Sequence, residues 1–321
     1  MTAAPALSYD DTLHTLSEGS VRRSFDAFVD IPWDDPAYAI DKTDPRWSLP
    51  TVDALGAHPW YQALPEERRI EIGLWRQANV AKVGLQFENI LIRGIMQYVF
   101  SLPNGSPEFR YLTHEATEET HHTQMFQEFV NRSGADVPGM RLLIRAASPV
   151  IPWVASIFPE WFFTMVLAGE EPIDHIQKSI LRSSDELHPL LERIMQIHVA
   201  EEARHISFAH EYLQQRVPEL GPVRTALLSV LYPITMRVAC DLIVVPGKEL
   251  TTDMGVPRKV VKDAYWRSDD AQRMLRDFFG DVRALAEETG LMNPVSRRVW
   301  KLLGIAGPTS RYRSEPVRAA A

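Results

Sequence analysis

Seven acidic and imidazole side chains carry the chemistry that this chain could perform. Glu88 stands 31 residues before Glu119, and His122 follows Glu119 by three. Glu171 stands 31 residues before Glu202, and His205 follows Glu202 by three. Residues three apart share a helix face, so each Glu-x-x-His pair can aim both side chains at one point. A carboxylate on one helix with Glu-x-x-His on the next is half of a dinuclear metal site in a four-helix bundle, and two copies complete it. Four carboxylates would neutralise two divalent ions, whereas the same charge left uncompensated in a core would be costly. Two adjacent redox metals point toward chemistry with dioxygen.

The seventh candidate is His198, four residues before Glu202 on the face formed by Leu191, Met195, His205 and Tyr212. Alone, it would read as a core histidine bonded to a carbonyl. Beside Glu202 and His205 it is a candidate third imidazole. Two registers are ambiguous. In EETHH, Glu118 with His121 shares a mixed face with Tyr111, His114, Met125 and Glu128, while Glu119 with His122 shares a core-like face with Leu112, Ala116, Phe126 and Phe129. We take the second pair and leave Glu118 and His121 as solvated or outer residues. At Glu170-Glu171 the helical stripe does not decide, and equal spacing favours Glu171. Asp174, one turn on, could orient a ligand histidine from outside. His14, His58, His114, His175, His188 and His210 are assigned no role.

These residues need helices to position them. Helical text runs from Pro65-Glu66-Glu67 to about Leu102, from Pro107 to Arg132, from Glu160 to Arg182, and from Glu186 to Arg216 with N-caps at Ser184 or Asp185. Pro172 suggests a local break beside the third-helix ligand. The first sixty residues, rich in Pro and Asp, read as an irregular arm with one short helix near its start. From Pro222 to about Gly304 further helices are expected, broken at Pro233, Pro246, Gly255 and Pro294. A loose basic tail follows Gly307. No convincing hairpin signal appears. The expected architecture is one all-α domain over 1–321, with an arm (1–60), a dimetal four-helix core (65–216), a C-terminal helical addition (217–306) and the tail (307–321).

Composition narrows the class. With 45% apolar and 24% charged residues the chain is ordinary for a soluble globular protein, and a net charge of −8 argues against a nucleic-acid surface. The single cysteine, Cys240, permits neither an intrachain disulfide nor a thiolate metal site, so any metal is held by N and O ligands. That fits a reducing cytosol, and the N-terminus lacks basic and apolar signal regions, so a cytoplasmic location is expected. Between Ala146 and Ala168 the only charge is Glu160, but Pro149, Pro152 and Pro159 interrupt the run, which reads as a buried cover for the bundle rather than a membrane span. The apolar C-terminal helices could pair two chains as a homodimer.

The series Glu, Glu-x-x-His, Glu, His-x-x-x-Glu-x-x-His across residues 65–216 resembles the ligand set of the p-aminobenzoate N-oxygenase family, ferritin-like diiron enzymes that oxidise aryl amines. His198 is the specific element, because paired Glu-x-x-His alone fits many diiron proteins. The resemblance implies a ferritin-like bundle, two iron ions on Glu88, Glu119, His122, Glu171, His198, Glu202 and His205, O2 bound as a peroxo-diferric species, and oxygen insertion at an amine nitrogen. Manganese or a mixed pair also suits such ligands. Restarting a diferric site needs two electrons, so an external donor is implied, and no Gly-x-Gly-x-x-Gly segment suggests a nicotinamide or flavin site within the chain. For an aromatic carboxylate, Arg145, Arg237, Arg297 and Arg298 are candidate anchors. Trp153, Trp161, Phe162 and Phe163 could line a cavity but more simply pack the core. The alternatives are a fatty-acyl desaturase or hydroxylase with a tunnel wall at 146–168, a non-catalytic ferritin-like metal-binding protein, and a bundle with structural ion pairs.

Overall fold

Proline at the first helical position recurs through the chain, where its missing N–H costs nothing and its fixed φ suits helix entry. The computed structural model describes residues 8–310, which are helical with no strand among them. We number the helices of nine residues or more. An arm helix, α1 (Tyr9–Arg22), precedes the four long helices α2 (Glu66–Val99), α3 (Pro107–Ser133), α4 (Pro159–Leu181) and α5 (Pro189–Arg216), and α6 (Pro222–Val244) follows them. Three short helices close the chain: α7 (Asp269–Asp277), α8 (Gly280–Glu288) and α9 (Pro294–Leu302). Proline opens α3, α4, α5, α6 and α9.

Helices α2 to α5 form the ferritin-like bundle. The antiparallel pairs α2–α3 and α4–α5 pack on each other, α6 covers α4, and α1 lies against α3 and α5. One apolar core runs from Leu13 to Ile305, so arm and C-terminal helices share the interior of the bundle. The arm is tied down by Trp47, fully buried and stacked on His188 at 4.1 Å. It contains a 14-residue helix and two 3-10 turns, more order than the Pro-Asp composition suggested.

Several boundaries differ from expectation for readable reasons. Helix α5 is capped by His188, whose Nδ1 accepts from the Leu190 amide, with Pro189 next, so Ser184 and Asp185 lie in the preceding loop. Helices α4 and α6 run unbroken through Pro172 and Pro233, both buried against neighbours. Packing on both sides holds a helix through one lost hydrogen bond. The 146–168 run is not a uniform cover: Pro152 and Ala155 are buried, but Val150, Trp153 and Ile157 are more than half exposed. Helix α6 is long and apolar enough to cross a membrane by composition, and about half of it is buried within the protein. Of the expected basic tail after Gly307, the part beyond Ser310 lies outside the described residues.

Candidate metal centre

Two groups of four buried side chains converge at the middle of the bundle. Glu88, His122, His198 and Glu202 place one ligand atom each within 4.8 Å of one another, and so do Glu119, Glu170, Glu202 and His205. Glu202 belongs to both groups. Helix α2 supplies Glu88, α3 supplies Glu119 and His122, α4 supplies Glu170, and α5 supplies His198, Glu202 and His205. Six of the seven sequence candidates are thereby brought together.

Glu171 is not among them. It turns to the other side of α4, where its Oε1 accepts from His210 Nε2 at 2.7 Å. Equal spacing favoured Glu171, whereas the residue that converges is Glu170, because the second half of the repeat is one residue longer: Glu170 stands 32 residues before Glu202, against 31 for Glu88 and Glu119. One residue rotates a helical side chain by about 100°. Asp174 also departs from expectation, pairing with Lys178 Nζ at 2.7 Å instead of a ligand histidine.

The imidazoles are each oriented from outside. His122 Nε2 lies 2.8 Å from Glu201 Oε2, His205 Nε2 lies 2.8 Å from Glu118 Oε2, and His198 Nδ1 lies 2.8 Å from Gln177 Oε1. In each case the acceptor orients the ring by its outer nitrogen and turns the inner nitrogen toward the centre, where His122 Nδ1 meets Glu119 Oε2 at 3.1 Å. The two carboxylates are reciprocal, since the first Glu of each doublet reaches across to the histidine of the other helix. Glu118 is thus an outer residue rather than a solvated one, held also by Arg204 Nη2 at 2.7 Å. Glu201 accepts from the Phe25 amide, which ties the arm to the centre. His121 sits at the surface side, 3.8 Å from Asp26. The doublets EETHH and EEARH carried this signal, but only the three-dimensional crossing gives the second carboxylate its role.

Many inward atoms have nothing to bond. Glu88 Oε2, Glu119 Oε1, both oxygens of Glu170 and of Glu202, His198 Nε2 and His205 Nδ1 are buried without a hydrogen-bond partner. His205 Nδ1 approaches Glu119 Oε1 at 2.8 Å, and His198 Nε2 lies 3.5 Å from Glu88 Oε1 and 3.4 Å from Glu202 Oε1, all without hydrogen-bond alignment. Native cores seldom leave so many polar atoms unsatisfied. Four carboxylates and three imidazoles converging on one point are the donor set of a dinuclear cation site, so these residues fit the two metal ions that the fold implies.

In the metal-free protein, protons take the place of that charge. Burial, reinforced by Glu119, raises the Glu88 carboxyl well above the usual range, and burial with Glu202 does the same to Glu170. Burial would also raise Glu119, but His122 and His205 outweigh it and hold that carboxyl low. Burial opposes a proton on His122, yet Glu119 and Glu201 lift it to about 10. His198, with burial dominant, falls to about 4.

Beside the centre lies a cavity of about 140 Å³, touching Glu88, Glu170 and His198 at one end and Asp53, Arg76 and Tyr265 at the other. Its walls are mainly apolar. Gly169 lets the Phe87 ring close against α4 there, a position where any Cβ would collide with that ring. None of the expected arginines reaches the cavity: Arg145 and Arg298 are exposed, Arg237 pairs with Asp241, and Arg297 with Glu287. The arginine that does reach it is Arg76, which no sequence pattern separated from a surface residue. Phe162 and Phe163 pack the core, Trp161 bonds Thr235, and Trp153 is 62% exposed.

Comparisons with known proteins give the family of the chain. The family model for p-aminobenzoate N-oxygenase AurF matches residues 6–290. Two proteins described as uncharacterized, from Mycobacterium bovis and Mycobacterium tuberculosis, are each 57% identical over 318 residues, covering 99% of this chain and 94% of their own length.

Proposed function

We propose, because this chain belongs to the p-aminobenzoate N-oxygenase family, that it holds two iron ions in the α2–α5 centre and uses O2 to oxidise an amine nitrogen. The observation that carries this reading is the pair of buried ligand groups sharing Glu202, with inward atoms that nothing in the protein satisfies. Glu88, His122 and His198 would hold one ion and Glu119, Glu170 and His205 the other, with Glu202 belonging to both groups. When bound, the ions supply the paired electrons that O2 reduction requires.

The chain itself supplies position and exclusion. Glu201, Gln177 and Glu118 orient the three rings so that each imidazole would present its inner nitrogen to an ion. Three imidazoles make the donor set richer in nitrogen than a pair of Glu-x-x-His motifs alone. The apolar cavity beside Glu88, Glu170 and His198 receives the substrate and keeps bulk water from the reacting end. An external reductant would restore the ions after turnover.

Iron analysis after iron-replete expression, followed by O2 exposure of the reduced protein with an aryl amine, tests the proposal. About two irons per chain are expected by analogy with such bundles, with an N-oxygenated product detected by mass spectrometry. Less than one metal per chain would favour buried ion pairs of purely structural purpose. Iron uptake with no product from any amine would favour metal binding without oxygenation. The mainly apolar walls of the cavity give the acyl-chain reading one specific observation of its own, and an acyl product without an amine product would select it.

A further inference from the structure

Arg76 is a buried cation with no carboxylate in ion-pair contact. Its residue is 5% exposed, Nη2 donates to the Val244 carbonyl at 2.8 Å, and Nε has no hydrogen-bond partner. The Tyr265 ring lies 5.8 Å from the guanidinium carbon. No carboxylate among the described residues forms an ion pair with it. Against the cost of burial, Tyr265 and Asp53, on the same cavity wall, favour the Arg76 charge, but Asp53 makes no ion pair with it and spends Oδ1 on the Leu55 and Gly56 amides. A guanidinium cannot shed its proton to escape burial, so an unpaired one at a cavity wall calls for an anion from outside.

The cavity that Arg76 closes runs along the bundle to the metal centre. Glu88 and Arg76 are both on α2, twelve residues apart, which at a helical rise of 1.5 Å is roughly 18 Å. Helical side chains lean toward the N-terminus, so Arg76 leans away from Glu88 rather than toward it. On the opposite wall, α4 lines the cavity from Glu170 to Ile180, a similar length. The cavity therefore extends along the bundle between mainly apolar walls. A single benzene ring with its two groups para is too short to bridge it, whereas an extended hydrocarbon chain is slender and long enough.

We propose that the cavity binds an elongated, largely apolar molecule by an anionic head, with its carboxylate or equivalent oxyanion on Arg76 and its far end at the metal centre. The inference rests on the proposed function only for the far end, because the anion site is independent of metal. Arg76 is then a residue of substrate recognition, fixing which carbon or nitrogen reaches the centre, and takes no part in the chemistry.

Decanoate is the probe, titrated calorimetrically into the full-length protein whose iron content is measured on the same sample. Saturable binding is expected, stronger than that of p-aminobenzoate or methyl decanoate. R76Q should weaken decanoate at least tenfold while leaving decan-1-ol and the metal content nearly unchanged, and R76K should recover part of the loss. Should R76Q fail to fold, the comparison of acid with ester in the unaltered protein decides by itself. Equal binding of acid and ester, an R76Q affinity equal to the parent's, p-aminobenzoate binding as tightly as decanoate, or no saturable decanoate binding would each overturn the proposal. Arg76-dependent decanoate binding in protein that takes up no iron would instead sink the diiron reading and leave this one standing.

Discussion

One residue of helical register separates Glu170 from Glu171, and that rotation decides which carboxylate meets the other six side chains. Both are buried, so burial alone could not distinguish them. The partners do: Glu171 is committed to His210, while neither oxygen of Glu170 has a bond. Glu170→Ala should therefore reduce bound iron from about two toward one per chain, with loss of O2 reactivity, whereas Glu171→Ala should keep the iron and lose mainly stability. Iron analysis of the two variants checks this, and the reverse pattern would restore the equal-spacing assignment. The outer carboxylates make a subtler test. Glu118→Gln and Glu201→Gln keep the shape but weaken the hold on His205 and His122, and such changes cost about 10- to 100-fold in metal affinity. Competition with a chelator measures it. At this scale the sequence was legible where helical spacing fixes neighbours, as for Glu119 with His122. It was silent where roles depend on another helix, as for Glu118, Glu201, Gln177 and Arg76.

Helices were legible where their ends are written in local chemistry. Proline at the start of α3 and α4, and Gly134 at φ +62° after α3, mark boundaries that need no tertiary information. Pro172 and Pro233 misled because the same residue type inside a helix is tolerated when neighbours pack both sides. The 146–168 run misled in another way: its composition is that of a core, yet Trp153 and Ile157 face outward. Attachment of the arm depends on a glycine. At Gly73 an added Cβ would overlap the Trp47 carbonyl, a backbone atom that cannot swing aside. Gly73→Ala should therefore destabilise the protein by about 1–3 kcal/mol, the usual cost of overpacking, and loosen the arm whose Phe25 amide holds Glu201. Urea denaturation gives the first quantity. Faster proteolysis within residues 23–58, compared with the parent, gives the second.

The whole molecule must bury this charge with or without metal, and protons and metal ions therefore compete for one centre. Without metal, several groups bind protons more tightly when folded than when unfolded. His122 is lifted to about 10 by Glu119 and Glu201 against the cost of burial, and burial raises Glu115 to about 8. Such groups stabilise the fold most at low pH and lose that contribution as pH climbs through their folded values. On the acid side the order reverses. His198, lowered to about 4 by burial, resists a proton that its unfolded form takes up below its ordinary 6.5, and Glu119 is likewise held below 4.5 once its histidines outweigh burial. Metal-free protein, with Glu88 and Glu170 raised alongside Glu115, should thus lose stability as pH rises above about 4.5, most clearly between about pH 6.5 and 10. Iron replaces the protons and removes the alkaline loss, so the stability gap between iron-loaded and metal-free protein should widen as pH rises. Urea midpoints of both forms at several pH values measure that gap. A metal-free midpoint as high at pH 9 as at pH 6.5 would mean that the folded centre does not hold extra protons, and that its carboxylates are neutralised by some other means.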